Sequence, residues 1–448
     1  MARKKKQEPA GQVVLPNLEF KPKIKDPKEK QGVLIACRAL PHYGPCVVLS
    51  AQALRNRADQ IMLDYSAQGV AVRFRVDGRF ENMPPMDRQT GDGMLVVLKK
   101  LCELNPMDRK SRQQAILPLK FKGDDYTFEF MSQGVPTGER VLIKISAKKS
   151  HLSSLEALGM RNKMQEDFRE MINAPDSIFL FSGVPGQGLP TTWKIGLESA
   201  DRFVRDFHSI ETANSKEEEM INITPHYFDP AQGETPMTVL KSLLLKQPDV
   251  LVFPELPDAE VMSLMAEEVA EESRKLITRI QAASAIEGML KFLATYPQSR
   301  QLLCKSLAGV VNLRLVRRLC TNCRQGFQPN PQMLKKLGLP PGRVQILYQP
   351  FIPPPPEQRV DANGKPIEIQ ICKKCGGRGF RGRAAIFELL RLDDDIRNAA
   401  LTQPNPAAVQ AIARQKGFLT IQEEGVLSVA TGMTAIQEVQ AALAPPRK

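Results

Sequence analysis

The apolar run Ile178-Phe179-Leu180-Phe181 leads directly into Ser182-Gly183-Val184-Pro185-Gly186-Gln187-Gly188-Leu189-Pro190-Thr191-Thr192. A buried strand that turns through three glycines into a helical segment, here from Thr191 to about Arg205, is a building block of layered α/β folds. Gly183 and Gly188 have the spacing of the phosphate-loop pattern G-x-x-x-x-G-K-[ST]. Leu189 stands where that pattern has lysine, and Pro190 stands where it has the magnesium-binding hydroxyl. The local sequence therefore predicts the turn while removing the groups that handle phosphate.

The loss has a rough size. In a working loop of this type, successive backbone N–H groups form a concave nest for phosphate, the lysine reaches the outer phosphates and the hydroxyl holds Mg²⁺. Gly183, Gly186 and Gly188 still allow the nest. Leu189 brings no charge, and Pro190 brings neither hydroxyl nor N–H, although proline is comfortable in the first turn of a helix. One missing charged hydrogen bond removes about 1.5–3 kcal/mol, and this loop lacks several. A one-residue shift would bring Thr191 or Thr192 to the metal position. Lys194, further along the helix, is a poor substitute for the lysine.

Strands alternating with helices extend the pattern on both sides. Phe207–Ile210 ends at Glu211, Val250–Phe253 ends at Pro254-Glu255, and Leu276-Ile277 reads as a further strand. Short apolar strands of this kind predict a largely parallel sheet covered on both faces over residues 151–315. Residues 36–150 read as a smaller α/β domain. Val70–Val76 alternates apolar and basic residues as a half-buried strand does, and Asp77-Gly78 supplies a hairpin turn. Gly93–Leu104 has helical spacing, and Tyr126–Phe130 and Arg140–Ile145 read as two more strands. Residues 1–35 hold nine Lys/Arg against four acids, a composition that predicts a disordered basic tail. Residues 386–448 read as helices, with capping boxes at Thr420–Glu423 and Thr434–Gln437.

Composition narrows the function classes. Of 448 residues, 42% are hydrophobic and 25% charged, normal for a globular protein. No apolar run reaches the length of a membrane-spanning helix, and the basic start lacks the apolar stretch of a secretion signal, so a cytoplasmic location is expected. Four histidines with no metal motif among them argue against a histidine-based hydrolase. The net charge of +13 allows anionic partners, but the aromatic residues do not interleave with the basic run, so nucleic acid is not the expected one.

Residues 316–385 carry the strongest chemical signal, Cys320-Thr321-Asn322-Cys323 and Cys372-Lys373-Lys374-Cys375. Two-residue spacing lets both thiolates of a pair reach one ion, and two pairs complete a tetrahedral zinc site. Four protein ligands leave no position for water, so the expected role is structural. The neighbouring Arg317, Arg318, Lys373 and Lys374 are expected to favour the thiolates. Between the pairs, Pro353–Pro356 is expected to be extended.

Assembled in order, these segments resemble a family. The Arg73–Gly78 strand, the loop at Gly183, the Gln247–Val250 strand with Glu255, the Gly309–Cys323 segment and the Cys372–Leu390 segment together resemble the type II secretion and type IV pilus assembly ATPases, the GspE/PilB-like group. The resemblance runs from about residue 50 to 445. It implies a RecA-like P-loop NTPase core, an N-terminal α/β domain joined by a hinge near 146–160, a four-cysteine zinc subdomain and a helical C-terminus. It also implies a hexameric ring of like or related subunits at the cytoplasmic face of an inner-membrane secretion or pilus platform, driven by ATP and magnesium.

The departures from that family fall at the nucleotide site. Besides Leu189 and Pro190, the family's Gly-Glu-Ile-Arg-Asp stretch appears as Pro254–Asp258, without its arginine. Its two histidine elements align with Glu272–Arg274 and Gln281–Ala283. A strand arginine of the N-terminal domain falls at Phe130 or Met131, with Arg109 and Arg112 as the nearest replacements reaching toward the core. Glu211 matches the family's acidic strand end but is followed by Thr212-Ala213. The expected function is a non-hydrolysing assembly or regulatory subunit. It retains a vestigial nucleotide site at Gly183, Gly186, Gly188, Thr191, Thr192 and Glu211, with Glu255 as the surviving catalytic acid. The alternatives are a weak but active ATPase, and a basic zinc protein that binds nucleic acid.

Overall fold

The computed structural model describes residues 15–444 except 149–151, 341, 356–357, 360–364 and 366. The chain divides into two compact units, Met1–His151 and Leu152–Lys448. In the first, the elements are β1 (Leu18–Phe20), α1 (Pro27–Arg38), α2 (Tyr43–Arg55), β2 (Ala58–Ser66), β3 (Gly69–Val76), β4 (Arg79–Met86), α3 (Arg88–Leu101), β5 (Gln113–Phe121), β6 (Asp124–Val135) and β7 (Gly138–Ala147). Seven strands form an antiparallel sheet in the order β1-β5-β6-β7-β2-β3-β4. In β3, Val70, Val72, Phe74 and Val76 are buried while Arg73 and Arg75 reach Asp64 and Asp59 on β2, as the alternation predicts.

The expected tail of residues 1–35 is corrected for its second half. Leu18 and Phe20 are buried and pair with β5, and α1 buries Leu34 and Cys37 behind an Asp26 cap. A few well-spaced apolar residues outweigh the lysine-rich composition. Residues 1–14, the most basic part, lie outside the described residues. The helix expected at Gly93–Leu104 begins earlier, at Arg88, because Asp87 caps it through Thr90 N–H. Its glycines suit close packing: a Cβ on Gly91 would lie 2.4 Å from Val70, and one on Gly93 would lie 2.0 Å from His42.

The second unit continues with α4 (Leu155–Leu158), α5 (Asn162–Asn173), β8 (Ile178–Gly183), α6 (Leu189–Glu198), β9 (Phe207–Thr212), β10 (Thr224–Phe228), α7 (Pro236–Leu244), β11 (Val250–Phe253), α8 (Ala259–Glu271), β12 (Lys275–Gln281), α9 (Ala285–Thr295), α10 (Arg300–Ser306) and β13 (Leu307–Leu319). Then come β14 (Gln325–Phe327), α11 (Pro331–Leu337), β15 (Leu347–Gln349), β16 (Phe380–Arg391), α12 (Asp394–Thr402), α13 (Pro406–Gln415), α14 (Ile421–Ala430) and α15 (Ile436–Leu443). The main sheet has the order β10-β9-β11-β12-β8-β13-β16, parallel except for β16. Strand β8 lies inside the sheet, between β12 and β13, and is buried on both faces. Ile178 and Leu180 join one core layer, and Phe179 and Phe181 the other. Phe168, Phe179, Phe181 and Trp193 form a chain of edge-to-face aromatic contacts on the α6 side.

The expected boundaries at 315/316 and 385/386 fall inside β13 and β16, two paired strands of this one sheet. The cysteine-bearing segment is thus an excursion between neighbouring strands. Within it, β14 and β15 pair antiparallel. Pro353–Pro355 carry no regular secondary structure, and Pro356 lies outside the described residues. The capping box at Thr420 forms as expected, with Thr420 N–H donating to Glu423 at 2.8 Å. The second does not: the Thr434 hydroxyl donates to the Arg317 carbonyl, and α15 starts at Ile436 with Ala435 as its cap. Among the described residues, no single helix is long and apolar enough to cross a membrane.

Lys275, at the start of β12, is buried, and its ammonium donates to the Ala174 carbonyl at 2.8 Å and the Ser177 hydroxyl at 2.7 Å, just past the end of α5. Burial outweighs these acceptors and pulls its pKa from 10.5 down to about 7. The unfolded chain then holds this proton over a window where the folded chain has released it. Stability is therefore expected to rise with pH between about 7 and 10.5. Replacing Lys275 with Met should flatten that slope in urea denaturation series across the window, and an unchanged slope would contradict the assignment.

Candidate nucleotide cleft and four-cysteine centre

The glycine loop lies between β8 and α6 as the sequence predicts, but α6 is shorter than expected, ending at Glu198 with Ser199 as its cap. Gly186 and Gly188 have φ of 77° and 92°, left-handed values that glycine adopts without strain. Gly188 is the helix cap, and Leu189 and Pro190 occupy the first turn. The loop is braced from within and from β13: Gln187 N–H donates to Val184 O at 3.2 Å, and the Gln187 amide oxygen accepts from Leu315 N–H at 2.9 Å. The concave turn is therefore built, and two prolines, Pro185 and Pro190, remove amides from its rim.

The loop borders a cleft of about 550 Å³ shared with Glu255 at the end of β11, Arg279 and Gln281 on β12, and Lys291 on α9. The predicted residues divide here. Gly183, Gly186, Leu189, Pro190 and Glu255 line the cleft. Glu255 is exposed, with the Thr212 hydroxyl 3.5 Å from its carboxylate. Glu211 is buried and committed elsewhere, accepting from the Ser209 hydroxyl at 2.6 Å and Glu217 N–H at 2.9 Å. Thr192 is buried with its hydroxyl unpartnered, and Thr191 is half-buried. Lys194 is turned to Glu218 at 2.7 Å. Asp258 caps α8 through Val261 N–H. Arg274 precedes β12, at the opposite end of the sheet from the glycine loop, and pairs with Glu268.

In the first unit, Arg109 is held by Glu139 at 3.0 Å and Asp92 at 2.7 Å, a network that also contains the buried Lys99–Glu139 pair. Arg109, expected to reach toward the core, thus has both of these partners within its own unit. Arg112 is exposed.

Sequence reading passed over two cations at the cleft. Arg279 donates through Nε to Pro254 O at 2.7 Å and through Nη2 to Glu217 at 2.6 Å. The Lys291 ammonium donates to the Gln281 carbonyl at 2.9 Å, and Gln281 is the register partner of Gly183. No spacing rule connects either residue to the loop; the sheet register does.

The four predicted cysteines come together. Cys320 and Cys372 sulfurs are 3.8 Å apart, Cys323 and Cys375 sulfurs are 3.6 Å apart, and all four lie within 4.8 Å of one another. Zinc–thiolate bonds of about 2.3 Å in a tetrahedron require sulfur separations of about 3.8 Å, while a disulfide requires about 2.05 Å. The cluster therefore fits a metal ion, held by Cys320, Cys323, Cys372 and Cys375. Backbone N–H groups of Cys375 and Lys374, with the Asn322 amide, pull the Cys372 thiol down to about 6. Burial pushes Cys320 and Cys323 up. The flanking arginines do not serve the sulfurs: Arg317 pairs with Glu438 at 2.6 Å and lies over Phe380, and Arg318 donates to Ala157 O.

Comparison with known proteins agrees with the resemblance. The chain is 26% identical over 392 residues to the type IV pilus assembly ATPase PilB of Thermus thermophilus, covering 87% of this chain and 42% of that protein. It is 27% identical over 388 residues to the type II secretion system protein E of Dickeya dadantii, covering 87% and 73%. The chain thus spans under half of the Thermus protein and about three-quarters of the Dickeya protein. In fold it is similar to the Legionella pneumophila ATPase DotB, with a TM-score of 0.55 at 12% identity, covering 94% of this chain and 96% of that one. Residues 47–441 match the family described as Type II/IV secretion system protein, and the chain belongs to it.

Proposed function

We propose that this chain is a non-hydrolysing assembly or regulatory subunit of a type II secretion or type IV pilus machine. In this reading residues 151–315 are a RecA-like core. The observation that carries it is the first turn of α6, where Leu189 and Pro190 occupy the positions of the phosphate-binding lysine and the metal-binding hydroxyl on a loop that is otherwise built. Packing, the cysteine cluster and the C-terminal helices are kept, so the losses are confined to phosphate handling. Such a subunit fits a cytoplasmic ring of like or related subunits, hexameric as in the family it resembles, docked on an inner-membrane platform. The four cysteines would hold structural zinc, which supplies a tetrahedral staple and no catalysis.

The test is calorimetric titration of the full chain with ATP in the presence and absence of magnesium. With no hydroxyl at position 190, the affinity should be the same within about twofold, because the metal contact that normally strengthens binding is missing. A magnesium-dependent gain of tenfold or more would overturn the reading. The exposed Glu255 beside the cleft favours one rival, a weak active ATPase.

A further inference from the structure

The sheltered cation of the cleft is already occupied by a carboxylate of this chain. Arg279 sits on the face of β12 that looks toward α6, its guanidinium 5.2 Å from the Trp193 ring centroid. One edge is fixed by the Pro254 carbonyl at 2.7 Å. The other edge forms a fork to Glu217, with Nη2–Oε1 at 2.6 Å and Nη1–Oε2 at 3.4 Å. Side chains of both partners are only about a fifth exposed, 18% and 22%. A pair this sheltered resists losing one member, because the remaining charge is left unpaired.

A phosphate group presents a guanidinium with the same two-oxygen edge as a carboxylate. Glu217 belongs to the segment between β9 and β10, outside the sheet, where Asn214, Ser215 and Lys216 are exposed. Its backbone is anchored separately, by Glu217 N–H donating to the Glu211 carboxylate at 2.9 Å. The Glu217 side chain can therefore leave Arg279 by rotation without unfolding the segment. Lys291, with only the Gln281 carbonyl as its acceptor among the hydrogen bonds described, and the glycine-loop amides border the same cleft.

We propose that Glu217 is a built-in stand-in for phosphate, an autoinhibitory carboxylate that holds Arg279, and that condensed inorganic phosphate of the pyrophosphate class entering the cleft competes with it for that guanidinium. This rests on reading the cleft as a nucleotide site that no longer hydrolyses, and it deepens that reading by naming what holds its sheltered cation.

Trp193 is the chain's only tryptophan, so its emission reports on the guanidinium above it. Full-length wild type, Glu217→Gln, Glu218→Gln and Glu217→Gln/Arg279→Gln chains are titrated with magnesium-free pyrophosphate while that emission is followed. Removing the competing carboxylate should lower the half-saturating concentration at least about tenfold, the weight of one charge-assisted hydrogen bond. Glu218→Gln should match wild type, and the double variant should lose the gain. Glu217→Asp, which keeps the charge but shortens its reach, should also bind more tightly than wild type. The proposal is overturned if Glu217→Gln binds no better than wild type, or if the double variant keeps the gain. Phosphate release from ATP by the same wild-type preparation reports separately on the non-hydrolysing reading.

Discussion

Replacing Cys375 with Ser is expected to empty the four-cysteine centre, taking bound zinc from one ion per chain to less than a tenth of that by elemental mass spectrometry. The reason is geometric. Strand β13 ends at Leu319, one residue before Cys320, and β16 begins at Phe380, five residues after Cys375. Leu319 and Phe380 are register partners, so the ion would clamp the outer end of this strand pair and close the excursion between them. Structural zinc contributes roughly 10–16 kcal/mol in small zinc domains, more than an excursion with one short helix and a two-stranded ribbon can replace. Without the ion, protease cleavage should appear between residues 324 and 371 while the main sheet stays intact. A Cys375→Ser chain that keeps its zinc and its protease resistance would contradict the assignment.

The second large effect concerns Glu388. It lies buried on β16 and accepts from Ala285 N–H at 2.7 Å and Ile421 N–H at 2.8 Å. Those amides belong to the first turns of α9 and α14, so one carboxylate caps two helices on different parts of the second unit. Burial raises its pKa, while the two amides and Arg314 oppose that shift. Glu388→Ala would leave two buried N–H groups unpaired, at about 1–3 kcal/mol each. Urea denaturation should show a loss of about 2–6 kcal/mol with an unchanged slope. A loss below about 1 kcal/mol would mean that water or a rearranged neighbour replaces the carboxylate.

What was legible in the sequence is what local rules encode. The strand at Ile178 was readable because a four-residue apolar run bounded by glycine has few other uses, and the cysteines because ligand spacing is a local constraint. The half-buried strand at Val70 and the turn at Asp77-Gly78 follow from period and from backbone preference, and both residues of that turn have positive φ. The illegible parts depend on residues distant in sequence. Glu388 meets Ala285 across 103 positions, and Arg279 meets Glu217 across 62. Glu211 illustrates the limit: its place at a strand end was readable, but the direction of its carboxylate was decided by Ser209 and the Glu217 amide. Composition misled at residues 18–38, where charge dominates the count and five buried hydrophobic side chains, Leu18, Phe20, Ile24, Leu34 and Cys37, decide the structure.

The cleft beside Gly183 keeps its turn, with Leu189 and Pro190 at the positions of the phosphate-binding lysine and the metal-binding hydroxyl. The most direct test of the non-hydrolysing reading is steady-state phosphate release from magnesium ATP by the wild-type chain, measured alongside Glu255→Gln. Two indistinguishable rates are expected, both at the level of the buffer. Turnover by the wild-type chain that collapses in Glu255→Gln would contradict that reading and establish an active ATPase.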